Sequence, residues 1–319
     1  MPRMKEQNIN QEDWDYLIVL DACRYDAFRK VYPKYLEGQL EKRLSKGSST
    51  TGWLENSFPG KYDYLYVSGN PFVNSLGYSL SEVSTGYYSS WRATEHFGKI
   101  VDSWKLDWDH DLETVTPEKL TRRTVKHIDD GDAKDRRTII HYMQPHRPYL
   151  RGDVEIENMG LERAVNKVSE SQSFFEKLRT EALSVLYHVW KRLSVPMKYR
   201  IKTLLGYEAR TEKFIIEGGG DKIVEWYIQN LELALEWIEK LLPHLDGEVV
   251  ITSDHGEAFG ESGIWWHEYR EHVPVLLEVP WFRVDMDRYK GEQGKVEPLE
   301  EEKGGESEIR EKLEKLGYA

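Results

Sequence analysis

Four short runs of apolar residues punctuate the chain, and each stops abruptly at polar positions. Tyr16-Leu17-Ile18-Val19-Leu20 ends at Asp21, and Tyr62 to Val67 runs into Ser68-Gly69-Asn70-Pro71. Thr138-Ile139-Ile140-His141-Tyr142 leads to a loop containing Pro145, and Glu248 to Thr252 ends in Ser253-Asp254-His255-Gly256. Continuous rather than alternating apolar runs of this length predict strands buried on both faces, as in a parallel sheet covered by helices. Helical periodicity falls between them, over Ala27 to Leu36, Pro117 to Ile128 and Lys222 to Leu242. Thr116 before Pro117 reads as an N-cap followed by proline at the first helical position. Alternating strand and helix predicts an α/β fold with a doubly wound, mostly parallel sheet sandwiched by helices.

Residues 151–220 break that rhythm and predict a helical insertion within a domain spanning 1–283. Ala182 to Arg210 carries Lys191, Arg192, Lys198, Arg200, Lys202 and Arg210 against the single acid Glu208. Apolar and aromatic residues are interleaved with them. A helical cover over the sheet accounts for this, and so does a basic amphipathic face meeting a lipid or a polyanion. Gly218-Gly219-Gly220 marks the end of the insertion. From 284 to 319 the chain is highly charged and predicts a solvated or loosely docked tail, with a short helix near Glu306 to Leu316.

Composition narrows the function. The net charge of −12 argues against a nucleic-acid partner, which demands a basic surface. Such a chain acting on an anionic ester must supply positive charge locally. With Cys23 as the only cysteine, no intramolecular disulfide can form. The first residues contain no signal-peptide-like apolar run, and no stretch reaches transmembrane length. The expected location is cytoplasmic, and the composition leaves the oligomeric state open.

Candidate chemistry gathers just after the strands, where open α/β sheets form their sites. Asp254 and His255 can together bind a divalent cation, with Gly256 allowing a sharp turn beside them. Asp21 is a second carboxylate in the same predicted crevice, although capping of the next helix would also explain it. In Gly47-Ser48-Ser49-Thr50-Thr51-Gly52-Trp53, a hydroxyl at a helix start would sit among unpaired N–H groups that favour an anionic nucleophile or a phosphate oxygen. An ordinary Ser/Thr cap fits the same residues. His141, His146 and Arg147 lie around prolines after the third apolar run and are candidates for holding ester oxygens or protonating a leaving group. A further polar and aromatic stretch runs from Trp265 through His267 to Pro274.

In this order, LIVLDACRYDAF, GSSTTGWL, HYMQPHRPYL and ITSDHGEAFGE with WWHEYREHVPVLLEVPW resemble the alkaline phosphatase and sulfatase superfamily. The likeness is nearest to a sulfatase-like branch of prokaryotic, expected archaeal, proteins with unassigned substrates, and covers roughly Asp15 to Trp281. It implies the alkaline phosphatase-like fold, with a divalent metal (Mn, Zn, Mg or Ca) held by Asp21, Asp254 and His255 and by the oxygen of the nucleophile. Thr50 is the nucleophile in the preferred register, with Ser49 and Thr51 as alternatives. The resemblance further implies that His267 contacts metal or substrate. His141, His146, Arg24 and Asn70 would bind substrate, with His146 and His267 also counted as catalytic.

Two departures refine this. Sulfatases convert a cysteine in a CxPSR or CxAxR context to formylglycine, and Cys23 in CRYDA does not fit, so a phosphate ester is expected over a sulfate. Ala22 stands where sulfatases often place a second metal-binding Asp, and no Asp-x-x-x-His pair is evident, so one metal is expected rather than two. The implied function is hydrolysis or transfer of a phosphate ester, glycan- or lipid-linked, through a covalent intermediate. The rival readings are a non-catalytic protein binding an anionic glycan or lipid, and a two-metal phosphomutase.

Overall fold

The computed structural model describes residues 4–83, 89–152, 193–204, 209–267, 273–289, 291 and 296–299. The apolar runs become the middle of one sheet. β1 (Tyr16–Leu20), β3 (Tyr62–Ser68), β5 (Thr138–Tyr142) and β6 (Val249–Ser253) lie within one residue of their predicted bounds. Every residue of β1, β5 and β6 is buried, as strands covered on both faces require. The seven-stranded order is β2-β9-β6-β1-β5-β3-β4, adding β2 (Gly38–Leu44), β4 (Phe97–Asp102) and β9 (Glu278–Val284). The five strands from β6 to β4 are parallel, whereas β9 runs antiparallel to both β6 and β2.

Alternate residues along the strands feed two cores. Ile18, Leu20, Ile140 and Ile251 face one layer, packing with Phe28, Leu120, Val125, Tyr227, Leu231 and Ile238. Those residues come from the helices Tyr25–Val31, Pro117–Asp129 and Gly220–Leu241. Leu17, Val19, Ile139 and Val250 face the other layer, where Trp53 and Leu54 of the helix Thr50–Ser57 meet Trp14, Phe58 and Trp281. Helices on both faces make the sheet doubly wound, the predicted fold class.

The first predicted helix is shorter than its periodicity, because Pro33 falls in a 3₁₀ turn over Tyr32–Lys34 that ends it. The long helix begins at Gly220, after Gly218 takes φ of 94°. Within 151–220, residues 193–204 and 209–220 include the helices Val195–Leu204 and Arg210–Phe214. Residues 153–192, with Lys191 and Arg192, and 205–208 lie outside the described residues, as does the predicted helix Glu306 to Leu316. The charged segment after β9 sends Tyr289 and Val296 into the first core, and Leu299 N–H donates to the Arg122 carbonyl. Among the described residues no helix is long and apolar enough to cross a membrane.

Candidate metal and catalytic site

Parallel register brings the ends of β1 and β6 together: Leu20 pairs with Ser253, so Asp21 and Asp254 emerge side by side. The chain turns immediately after Asp21 because Ala22 takes a left-handed backbone (φ 59°), which costs a non-glycine residue roughly 1 kcal/mol. Two bonds hold it there. Ala22 N–H donates to Asp254 Oδ1 (3.1 Å), and the Tyr227 hydroxyl donates to the Ala22 carbonyl (2.8 Å). On the Asp254 side, Gly256 presses against the 274–277 turn, where a Cβ would stand 1.9 Å from the Val275 carbonyl oxygen. Glycine is required by that close approach.

The helix Thr50–Ser57 delivers the third element and gives the three hydroxyls of its start different partners. The Ser49 side chain caps the helix, accepting from Gly52 N–H, and its hydroxyl meets that of Thr51 at 3.1 Å. Thr50 instead donates to Asp254 Oδ2 at 2.8 Å and sits 3.4 Å from His255 Nε2. Of the three hydroxyls, Thr50 is the one with hydrogen-bond contacts to Asp254 and His255, and it lies at a helix N-terminus where backbone N–H groups favour negative charge.

His255 Nδ1–H donates to the Gly256 carbonyl at 2.8 Å, which leaves the Nε2 lone pair facing the carboxylates. Nε2 lies 3.3 Å from Asp254 Oδ2 and 3.7 Å from Asp21 Oδ1. Asp21 Oδ2 accepts from Asn70 Nδ2 at 2.7 Å, whereas buried Oδ1 has no hydrogen-bond partner. Converging lone pairs with an orphaned carboxylate oxygen repel one another unless a cation or a proton sits between them, and the donor set Asp21, Asp254, His255 and Thr50 fits a divalent cation. Titration behaviour agrees. Burial and the neighbouring Asp254 carboxylate raise the Asp21 pKa well above the usual range. Burial would raise Asp254 too, but His255, His141 and the Thr50 hydrogen bond hold it below its ordinary value.

His141, on β5, is fully buried with Nδ1 against the Tyr66 hydroxyl (2.9 Å) and Nε2 without a hydrogen-bond partner. Nε2 lies 4.0 Å from Asp21 Oδ2 and 3.9 Å from Asp254 Oδ2. Burial lowers its pKa to about 4, so the ring is neutral at pH 7.

A second donor cluster stands beside the first. Buried His146 and Glu257 and half-buried His267 offer ligand atoms within 4.8 Å of one another. His146 Nδ1–H donates to the Arg147 carbonyl (2.5 Å), and His267 Nδ1 meets Glu257 Oε1 at 3.0 Å. Glu257 Oε2 is buried without a partner, and burial raises this carboxyl's pKa. Burial lowers His146 to about 3, so this imidazole offers a lone pair rather than a titrating proton near neutrality. The rings of His255 and His267 are 4.1 Å apart and bridge the two clusters. The donors come from positions 146, 257 and 267, a spacing without any local pattern, so the sequence does not mark them as a set. Glu257 was visible only as the residue closing Asp254-His255-Gly256-Glu257.

Arg24 is engaged elsewhere. Its guanidinium pairs with Asp26 (2.7 Å) and Glu261 (2.6 Å) and donates to the Glu257 carbonyl. It supports the loop carrying Glu257 and makes no hydrogen bond to Asp21, Asp254 or His255. Residues 268–272, the remainder of the aromatic and acidic stretch after His267, lie outside the described residues.

No family model and no curated protein matches this sequence. Among solved structures, the integral membrane lipooligosaccharide phosphoethanolamine transferase A of Neisseria meningitidis is 13% identical, with a TM-score of 0.46. The match covers 91% of this chain and 53% of that one, so this chain spans about half of that transferase. The soluble domain of the same transferase is 12% identical with a TM-score of 0.42, covering 88% of this chain and 79% of that one. The C-terminal periplasmic domain of phosphoethanolamine transferase EptC from Campylobacter jejuni is 12% identical with a TM-score of 0.42, covering 90% and 85%. Likenesses this distant carry no functional weight, and the reading of the site rests on its own geometry.

Proposed function

We propose that this chain is a metal-dependent phosphate-ester hydrolase or transferase of the alkaline phosphatase and sulfatase type, with Thr50 as the nucleophile. The observation that carries the reading is the Thr50 hydroxyl, 2.8 Å from Asp254 and beside the donors Asp21 and His255. Asp21, Thr50, Asp254 and His255 would hold the catalytic cation; when bound, it would lower the pKa of the hydroxyl and offset the charge of the phosphoryl oxygens. Asp254 takes the Thr50 hydrogen bond and aims the oxygen. Thr50 Oγ1 gives up its proton to solvent and attacks phosphorus, the P–O bond to the ester oxygen breaks, that oxygen leaves as an alcohol after taking up a proton from solvent, and a phosphothreonine forms. Water (in a hydrolase) or an acceptor alcohol (in a transferase) displaces the phosphoryl group in the second step. Two buried neutral imidazoles, His141 and His146, line this path as hydrogen-bonding or ligand groups.

His146, Glu257 and His267 would hold a second cation, which favours a two-metal version of the same chemistry over the single-metal version. The helix Val195–Leu204 exposes Leu204 (86%) and Met197 (49%) in a segment that also carries Lys198 and Arg200. That mixture favours an ester carried on a large or lipid-linked anion.

The test is turnover of chromogenic phosphate monoesters, phosphate diesters and sulfates by wild type and Asp254→Ala, with Mn, Zn, Mg or Ca. Metal-dependent turnover of a phosphate ester that vanishes in Asp254→Ala is the expected result. Metal binding without turnover of any ester would favour a protein that only binds anionic glycans or lipids. Turnover confined to sulfate would overturn the phosphate reading.

A further inference from the structure

The candidate site is rich in carboxylates, with Asp21, Asp254 and Glu257 all buried in it, yet its proposed substrate is an anion. Fixed positive charge is therefore scarce where it matters. Arg24 is consumed by Asp26 and Glu261. Arg147, the residue after His146, is placed differently. Its guanidinium carbon stacks 4.2 Å from the centroid of the Trp266 ring, and its buried Nε has no hydrogen-bond partner. Among the described residues no carboxylate pairs with it. A partly buried guanidinium set over an indole, with no salt bridge among the described residues, is suited to receive an anion.

The platform beneath it is itself constrained. Trp266 adopts φ of 73°, a left-handed conformation that is a genuine outlier for so large a side chain. It is held there by pairing with Ala258 in the short ribbon of β7 (Ala258–Phe259) and β8 (Trp265–Trp266). That ribbon also sets the neighbouring residues Glu257 and His267 against each other, at 3.0 Å. The same backbone strain thus fixes the arginine's stacking surface and one half of the second donor cluster. The charge of Arg147 reaches His146, Tyr149 and Glu257, although burial is the larger influence on each.

We infer that Arg147, positioned by Trp266, is a substrate-binding residue that grips phosphoryl oxygens of the ester beside His146, Glu257 and His267. This rests on the phosphate-ester reading above. A guanidinium can offer paired N–H groups to two oxygens, which a lysine ammonium at the same position would not reproduce.

The inference is tested by titrating inorganic phosphate calorimetrically into the metal-supplemented full chain as wild type, Arg147→Ala and Arg147→Lys, with thermal unfolding as a check on folding. Both variants are expected to fold, because among the described residues Arg147 makes no salt bridge and its charge acts on Glu257 without a direct ion pair. The expected result is phosphate affinity weaker by about 10- to 100-fold in Arg147→Ala and only partly recovered in Arg147→Lys. In ester turnover the Arg147→Ala loss falls on KM at least as much as on kcat. Equal phosphate affinity in wild type and Arg147→Ala would overturn the assignment, as would failure of wild type to bind phosphate at millimolar concentration. Phosphate binding that depends on Arg147 without ester turnover by wild type would leave this inference standing and remove the catalytic reading instead.

Discussion

The Thr50 hydroxyl donates to Asp254 Oδ2 at 2.8 Å, joining a helix N-terminus on one layer of the protein to the end of a central strand 204 positions away. The contact does two things at once. It aims the only hydroxyl of the Ser49-Thr50-Thr51 stretch that bonds to Asp254, and it helps keep Asp254 ionised despite complete burial. The proposed nucleophile and a proposed cation ligand are therefore oriented by the same bond.

Replacing Thr50 by Ala is expected to reduce ester turnover by at least about three orders of magnitude while metal binding by Asp21, Asp254 and His255 persists. Ser49→Ala removes a cap instead and should cost about 1 kcal/mol of stability with turnover largely retained. Steady-state kinetics with denaturant unfolding of both variants checks this. A Ser49→Ala protein as inactive as Thr50→Ala would move the nucleophile.

Two donor clusters predict two separable metal-binding events. Asp254→Ala should lose the ion shared with Thr50, whereas His267→Ala should lose only the ion at His146 and Glu257. Elemental analysis after gel filtration, on wild type and both variants, gives the stoichiometry. One ion in wild type that survives His267→Ala would reduce the second cluster to a hydrogen-bonded pair.

Removing metal should make stability depend on pH through Asp21. Its folded pKa is raised by burial and by Asp254, above the roughly 3.9 of an unfolded aspartate. Folding then favours the protonated form, so this contribution is fully present below about pH 4 and is lost as pH rises toward the raised folded value. Chelator-treated wild type should lose Tm across that window relative to Asp21→Asn, and added divalent metal should reverse the loss in wild type alone. Parallel Tm profiles for the two chelated proteins would contradict this account.

Gly256→Ala is expected to cost about 2 kcal/mol or more, because the new methyl would meet the Val275 carbonyl and the turn around Leu276 would have to give way. Chemical denaturation measures it. The displacement would also move Glu257, so metal binding at the second cluster should weaken more than at the first.

Much of this was legible along the chain. β1 and β5 are continuous apolar runs because both faces are covered, and residues such as Ile18 and Leu17 have no solvent side to mark with polarity. The edge strands were not legible. β2 reads GQLEKRL, with Glu41 exposed, Lys42 half-buried and Arg43 buried, and its partner β9 holds it in a register that local pattern does not encode. Edge strands escape because hydrogen bonding to one neighbour, rather than two-sided burial, makes them strands.

The sequence by itself determined the α/β alternation, the polar termini of the buried strands and the placement of Asp21, Asp254 and His255 just past two of them, since each follows from residue type within a few positions of a strand end. Only the tertiary structure decided the rest. It set Thr50, rather than Ser49 or Thr51, against Asp254 and His255, turned Arg24 toward Asp26 and Glu261, and gathered His146, Glu257 and His267 into a second cluster. These outcomes depend on strand register, on the left-handed turns at Ala22 and Trp266 and on which face of a helix start meets the sheet. All of them are set by packing between segments far apart in the chain, and no local spacing carries that information.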